Sequence, residues 1–473
     1  MDTTEFAQRV AVNLPYVPNG QQAMVVAALA RFCAPAMPSD RVFLLNGYAG
    51  TGKTSLTGAL VKALGEAGVP SVLLAPTGRA AKVFGAYAGH AAYTIHRKIY
   101  RHPGIGDSFS SVASMQDNRH KGAVFIVDEA SMIGAADERG SNLLQDLIHY
   151  VYTGDNCRLI LIGDTAQLPP VGCSVSPAMD PEVLRGYGLK VTRAVLTETQ
   201  RQDACSGILF NATRLRQAMR MEQLPLPKLY TGFDDVSSVG GEELPEVLEA
   251  AYNMDGGIAD TILITRSNRR ASDFNRAIRA NILYREEELA AGEMLLVAKN
   301  NYLWASKVKG LDFIANGDVM TVNRVYGSEF KYGIRFADVS MCLSDRPDIV
   351  FDAKIMLDTL AGENATLPYE RQMELYRRCL TDTERFAADT PMETRFKSLR
   401  TDPYFNALQM KYAYAVTCHK AQGGQWSNVF VDMGYIPEEA MGMEFYRWLY
   451  TAVSRARRRL YFINPSSSLV GEG

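Results

Sequence analysis

Gly47-Tyr48-Ala49-Gly50-Thr51-Gly52-Lys53-Thr54 is the stretch on which the reading of this chain turns. Its spacing is GxxxxGK[ST], a loop whose backbone N–H groups turn inward around phosphate oxygens. The flanks give the context such a loop needs. Arg41-Val42-Phe43-Leu44-Leu45 before it reads as a buried strand, and Leu56 to Leu64 after it reads as a helix. A helix starting at the loop adds positive potential where a polyphosphate would lie. Gly47, Ala49, Gly50, Thr51, Gly52, Lys53, Thr54 and Ser55 are therefore candidate nucleotide-binding residues. Lys53 suits the β- and γ-phosphates of ATP, and the Thr54 hydroxyl suits Mg²⁺.

Further apolar runs follow at Ser71–Ala75, Ala123–Val127 and Arg158–Ile162, with helical stretches between them. Continuous apolar strands separated by helices predict a parallel sheet covered on both faces. The run ending at Val127 delivers Asp128 and Glu129 at a strand C-terminus, where α/β sheets bind ligands. Asp128 suits the Mg²⁺ shell. Glu129 suits polarising an attacking water, a role worth about 10²–10⁴ in rate. Such a pair alone also reads as a solvated turn; beside the phosphate loop it is the other half of one site. Gln167, in Gly163-Asp164-Thr165-Ala166-Gln167-Leu168-Pro169-Pro170, could sense a γ-phosphate through its amide. Arg201, in Glu198-Thr199-Gln200-Arg201-Gln202, and Arg455, in Tyr450 to Arg457, are candidate arginine fingers. A finger contributes about 10³–10⁵ in kcat. On residue type alone, each also reads as an ordinary surface arginine.

The 473 residues are too many for one hydrophobic core. No apolar run is long enough to span a bilayer, and the start lacks the pattern of a secretory signal. Seven scattered cysteines, none in CxxC, fit a reducing cytoplasm rather than a disulfide framework. The net charge of −2 is not the basic balance common among nucleic-acid binders, yet leaves room for a basic groove. The expected units are 1–197, with an insertion at about 97–122; 198–294; a second insertion at 295–402; and 403–473. Within 295–402, the charged stretch 369–400 reads as a solvated helical arm.

Eight segments together resemble the superfamily 1B helicases of RecD-like and Dda type. They are GYAGTGKT (47–54), APTGRAAK (75–82), TIH (94–96), VDEASM (127–132), GDTAQLPP (163–170), ETQRQ (198–202), TCHKAQGGQ (417–425) and YTAVSRAR (450–457). The resemblance implies an α/β fold of two RecA-like P-loop domains with parallel sheets and ATP between them. It implies a small 1B insertion at 97–122 that splits duplex, and an SH3-like 2B insertion at 295–402. It implies 5′→3′ movement on single-stranded DNA, action at single-strand/duplex junctions, and work as a monomer, with replication or recombination proteins as candidate partners. By the same resemblance Thr77, Thr94 and His96 contact DNA from the first domain, and Thr417, His419 and Lys420 from the second. Gln422 and Gly423 lie near the nucleotide. An adenine-reading glutamine is expected upstream, at Gln22 or Gln21; Gln22 is preferred because Val25, Val26 and Leu29 follow at helical spacing.

Two departures from the family pattern stand out. Phe109 is the only phenylalanine of the 97–122 insertion, and Thr265-Arg266-Ser267-Asn268 replaces the usual threonine-asparagine pair. Two other functions compete: a translocase that moves without unwinding, and a nucleotide-gated DNA-binding module. Glu129 and the two arginines argue against a pure switch. No additional acidic cluster supports a nuclease.

Overall fold

The structure, a computed structural model, describes all residues except 1, 35–37, 39, 101–114, 136–141, 200–205, 309–310, 312, 345, 363, 365 and 472–473. Strands β1 (Arg41–Gly47), β2 (Ser71–Ala75), β3 (Ala92–Thr94), β4 (Val124–Val127), β5 (Arg158–Gly163) and β6 (Lys190–Leu196) form a parallel sheet in the order β3-β2-β4-β5-β1-β6. The reason is visible along β1. Val42 and Leu44 pack into one core, and Phe43 and Leu45 into another on the opposite face. A strand apolar on both sides has to be covered on both sides.

The chain next forms β7 (Leu229–Tyr230), β8 (Val236–Val239) and β9 (Thr261–Thr265). It then leaves for a closed barrel of β10 (Met294–Val297), β11 (Val319–Lys331), β12 (Ile334–Leu343), β13 (Arg346–Met356) and β14 (Leu408–Tyr412). It returns through β15 (Ala415–Thr417), β16 (Trp426–Asp432), β17 (Ala456–Ile463) and β18 (Val470–Gly471). The second parallel sheet has the order β15-β9-β16-β17-β8. The fold is thus α/β, with two RecA-like parallel sheets and a small five-stranded barrel inserted into the second.

Two expectations need adjustment, and a third falls mostly outside the described residues. The barrel closes with β14, beyond residue 402, so Leu408–Tyr412 belongs to the insertion and the second sheet resumes only at Ala415. The charged stretch 369–400 is not simply a solvated arm. Helices Tyr369–Leu380 and Met392–Leu399 bury Leu375, Cys379, Leu380 and Leu399 in a separate core with Ile334, Phe336 and Met356 of the barrel. Most of the 97–122 insertion, Phe109 included, lies outside the described residues. Its described edges are pinned to the first domain, where Gln116 N–H donates to Ile99 O at 2.8 Å and Asn118 Nδ2 to Tyr150 O at 2.9 Å.

Candidate nucleotide site between two parallel sheets

The phosphate loop leaves the C-terminal end of β1 and enters the helix Lys53–Glu66. Gly50 and Gly52 have φ of 73° and 81°, the left-handed region that favours glycine. A Cβ on Gly52 would lie 2.3 Å from Tyr16 Oη and 2.7 Å from Gln22 Nε2, so a side chain there has no room. Lys53 Nζ donates to the carbonyls of Gly47 and Tyr48 and lies 3.9 Å from Asp164 Oδ2. Thr51 is buried, and its hydroxyl donates to Tyr48 O at 2.8 Å.

One cleft gathers residues from both sheets. From the first domain come Ala49, Gly50, Gly52, Lys53, Thr54, Ser55, Asp128, Glu129 and Gln167. From the second come Gly423, Gly424, Gln425, Arg455 and Arg457. Asp128 Oδ1 accepts the N–H of Glu129 at 2.9 Å. Burial and the adjacent Glu129 charge push the Asp128 carboxyl up to about 7. Glu129 itself has φ of 52°, a left-handed conformation costly for a side-chain-bearing residue, of order 1–3 kcal/mol. Gln167 is buried, and its Oε1 has no hydrogen-bond partner among the described residues. That orphan acceptor faces a cleft in which a water or a phosphate-bound donor could satisfy it.

Arg455 is 4 % exposed. Its guanidinium donates to Thr451 O at 3.0 Å, Gly424 O at 3.2 Å and Ser454 Oγ at 2.9 Å. A guanidinium has five N–H donors, so two remain for a ligand. Gly423 has φ of 73°, and a Cβ on it would lie 3.1 Å from Ala80 Cβ of the first domain. The left-handed turn therefore brings the second domain against the helix Gly78–Ala88. Gln422 Nε2 donates to Leu168 O at 2.9 Å. Arg201 lies outside the described residues.

Gln22 stands behind the loop rather than in the cleft. It is buried; its Oε1 accepts Asn19 N–H at 3.1 Å, and its Nε2 donates to Thr51 O at 3.0 Å. Gln21 is also engaged, with Oε1 accepting Thr197 N–H at 2.8 Å. Tyr16 lines the cleft on this side. Its role was not legible in the sequence, and neither was that of Tyr450, whose hydroxyl accepts Ala49 N–H and donates to Asp164 Oδ2, each at 2.8 Å. Tyr450 opens the segment 450–457 and Tyr16 lies outside all eight segments, and no local spacing marks either.

The candidate strand-contact residues gather at strand ends. Thr77 and Thr94 follow β2 and end β3, which are paired side by side. Each caps a helix: Thr77 Oγ1 accepts Ala80 N–H and Thr94 Oγ1 accepts Arg97 N–H, both at 3.2 Å. A hydroxyl used as a cap acceptor keeps its own proton to donate. In the second sheet, Thr417 ends β15 directly beside Thr265 of β9. His96 and His419 are exposed. Burial lowers the Lys420 ammonium, and burial together with Lys420 pushes Lys411 down to about 8. Both lysines line one recess with Thr417 at the junction of barrel and sheet.

No described helix is long and apolar enough to cross a membrane. The six described cysteines are free.

Comparison with known proteins finds similarity on both sides of the cleft. Residues 19–222 match the model of an AAA domain, and residues 412–463 that of a UvrD-like helicase C-terminal domain. The chain is 23% identical over 440 residues to the ATP-dependent RecD2 DNA helicase of Deinococcus radiodurans, covering 91% of this chain and 48% of the relative. An uncharacterised protein of Methanocaldococcus jannaschii is 25% identical over 467 residues, covering 90% of this chain and 36% of the relative. The chain thus spans half or less of these two relatives. An uncharacterised protein of Acanthamoeba polyphaga mimivirus is 21% identical, with 90% of this chain and 96% of the relative covered. Among solved structures, Pif1 helicase from Bacteroides in complex with ADP-AlF3 and single-stranded DNA aligns at 15% identity and TM-score 0.49, covering 97% of this chain and 95% of that one. Pif1 helicase from Candida albicans aligns at 16% identity and TM-score 0.45, covering 97% of each chain. With both family models matched in order, and with its eight motif segments, this chain is similar to the superfamily 1B helicases of the RecD-like type.

Proposed function

We propose that this protein is an ATP-driven motor that moves 5′→3′ on single-stranded DNA and unwinds duplex at single-strand/duplex junctions. The observation that carries the reading is the two-sided cleft. Lys53, Asp128, Glu129 and Gln167 come from one sheet, while Gly423 and Arg455 come from the other. Hydrolysis that needs both halves is tied to their approach, and so to movement of whatever the two domains grip. Thr77, Thr94 and His96 on one domain, and Thr417, His419 and Lys420 on the other, are the proposed grips on the strand. Two desolvated lysines, Lys411 and Lys420, have no carboxylate partner among the described residues, which favours an anion beside them. Hydroxyl, backbone and lysine contacts carry no base readout, so little sequence preference is expected.

In this reading Lys53 leaves its loop carbonyls for the β- and γ-phosphates. Glu129 draws a proton from the attacking water, and Gln167 holds that water through its orphan oxygen. Arg455 meets charge as it develops on the γ-phosphoryl oxygens. Thr54 and Asp128 would hold Mg²⁺. The fit rests on oxygen donors only, and on a carboxyl driven up by burial and by the adjacent Glu129, which a cation beside it would relieve. Among the described residues, no cluster of three or more His, Cys, Asp or Glu could hold a metal unaided, so the ion would be shared with nucleotide phosphates. When bound, it would neutralise charge on the β- and γ-oxygens.

A pH effect follows. The Asp128 carboxyl is pushed up to about 7, so it is ionised above that pH and increasingly protonated below it. Protons then compete with the metal, and apparent metal affinity falls with pH, approaching about tenfold per unit. Mn²⁺ titration of the ADP complex at pH 8 and pH 6, read by EPR against free Mn-ADP in the same buffers, should show the loss. Equal affinities would remove Asp128 from the metal site.

Direction and unwinding are tested with duplexes carrying a 5′ or a 3′ single-stranded tail. Only the 5′-tailed substrate should be opened. Replacing residues 101–114 by a short linker should abolish strand separation and leave DNA-stimulated ATP hydrolysis. If unwinding survives that replacement, the insertion is not the splitting element. If the intact protein opens neither substrate yet hydrolyses ATP on single strands, the translocase reading replaces this one.

A further inference from the structure

Tyr450 lies in the helix Met443–Val453 of the second domain and is 1% exposed. Its hydroxyl makes two bonds across the domain boundary, accepting from Ala49 N–H of the phosphate loop and donating to Asp164 Oδ2 at the end of β5, both at 2.8 Å. The next residue reinforces the contact: Thr451 Oγ1 accepts Leu168 N–H at 2.8 Å. Arg447, one turn earlier, donates to Ser174 O. One face of one helix therefore grips both the phosphate loop and the segment after β5, and the same helix leads into Arg455.

Asp164 is what gives the contact a consequence. It is 1% exposed, and its other oxygen accepts Ala166 N–H at 3.0 Å. A buried carboxylate needs donors or a counter-charge. Two groups compete for Oδ2: the Tyr450 hydroxyl at 2.8 Å and the Lys53 ammonium at 3.9 Å. Burial and the Asp164 charge raise the Tyr450 hydroxyl well above the usual phenol range, so it remains a donor at working pH.

We propose that Tyr450 is a positioning residue that releases Lys53 for the nucleotide when the two domains close. With the domains together, Tyr450 satisfies Asp164 and Lys53 is available to phosphate. When they part, Asp164 loses its hydroxyl donor and draws the nearby Lys53 ammonium, while the Ala49 N–H loses its acceptor. The phosphate loop is then competent only in the closed pair. This inference rests on the proposed DNA-coupled motor and supplies its gate.

The test uses the full chain. Steady-state ATP hydrolysis is measured with and without single-stranded DNA for the wild type, Tyr450→Phe, Asp164→Asn and the double variant, with thermal unfolding as a folding check. In Tyr450→Phe the ratio of DNA-stimulated to DNA-free turnover should fall at least fivefold, with KM for ATP changing less than threefold. Adding Asp164→Asn should restore turnover in part, because a neutral amide no longer captures Lys53; mere bracing predicts no rescue. An unchanged ratio, or equal loss with and without DNA, overturns the gate. If Tyr450→Phe does not fold, Asp164→Asn alone decides: its DNA-free turnover should rise at least twofold, and failure to rise overturns the gate. A wild type indifferent to DNA sinks the motor reading instead, so the two failures are distinct.

Discussion

Lys53→Ala should eliminate ATP turnover, with kcat falling by at least about 10²–10³, the cost of removing one preorganised charge from a transition state. The wild type should hydrolyse ATP only with Mg²⁺, and single-stranded DNA should raise its rate about tenfold or more, as expected when closure completes a catalytic site. The structure supports a clean experiment. The Lys53 side chain is 17% exposed and bonds only to loop carbonyls, with Asp164 at 3.9 Å. Its removal leaves the β1 strand and the helix Lys53–Glu66 with their own packing, because the anchors there are Leu56, Leu60 and Leu64. Thermal unfolding should move little while turnover vanishes. Phosphate release measured with and without DNA checks both parts. Strong hydrolysis indifferent to DNA and RNA would make this a P-loop ATPase with another client.

Arg455→Lys should have the next largest effect, lowering kcat by about 10³ or more while a fluorescent ADP analogue still binds. Three of the five guanidinium N–H groups hold Thr451, Gly424 and Ser454, which fixes the plane of the fork at the cleft wall. Lysine keeps the charge but has neither the fork nor the reach to make these bonds and meet a phosphoryl oxygen at once. The measurement is single-turnover hydrolysis beside nucleotide affinity. A loss of affinity with kcat retained would make Arg455 a brace for Gly423 and Gly424. Turnover within about threefold of wild type would exclude it as the finger and leave Arg201 as the remaining candidate.

Much of the site was legible because its chemistry is local. The phosphate loop is eight consecutive residues, and the left-handed φ of Gly50 and Gly52 is a property of those residue types at those places. Asp128 and Glu129 follow an apolar run, so a strand end could be assigned without knowing its neighbours. Continuous apolar strands announced a two-faced parallel sheet, as β1 shows by alternating between two cores.

Other features depended on which distant surfaces meet. Gln22 has the expected residue type, but that its amide also bonds Asn19 and Thr51, and that Tyr16 faces the cleft, was not readable from spacing. The apolar positions of the 369–400 arm, Leu375, Cys379, Leu380 and Leu399, were masked by charge until the barrel gave them a surface. The closing barrel strand, Leu408–Tyr412, runs almost without a break into β15, so only its pairing with β10 and β13 assigns it to the barrel.

The sequence by itself determined the phosphate-loop motif, the two-sheet α/β class and the likeness to RecD-like helicases, because each rests on residue type at short spacing. The tertiary structure decided the rest: the extent of the barrel, the seating of Gln22 against the phosphate loop, and the contact of Tyr450 with Ala49 and Asp164. These depend on packing between segments that local spacing does not link, up to 401 residues apart for Tyr450 and Ala49, and no local periodicity encodes which hydroxyl meets which amide.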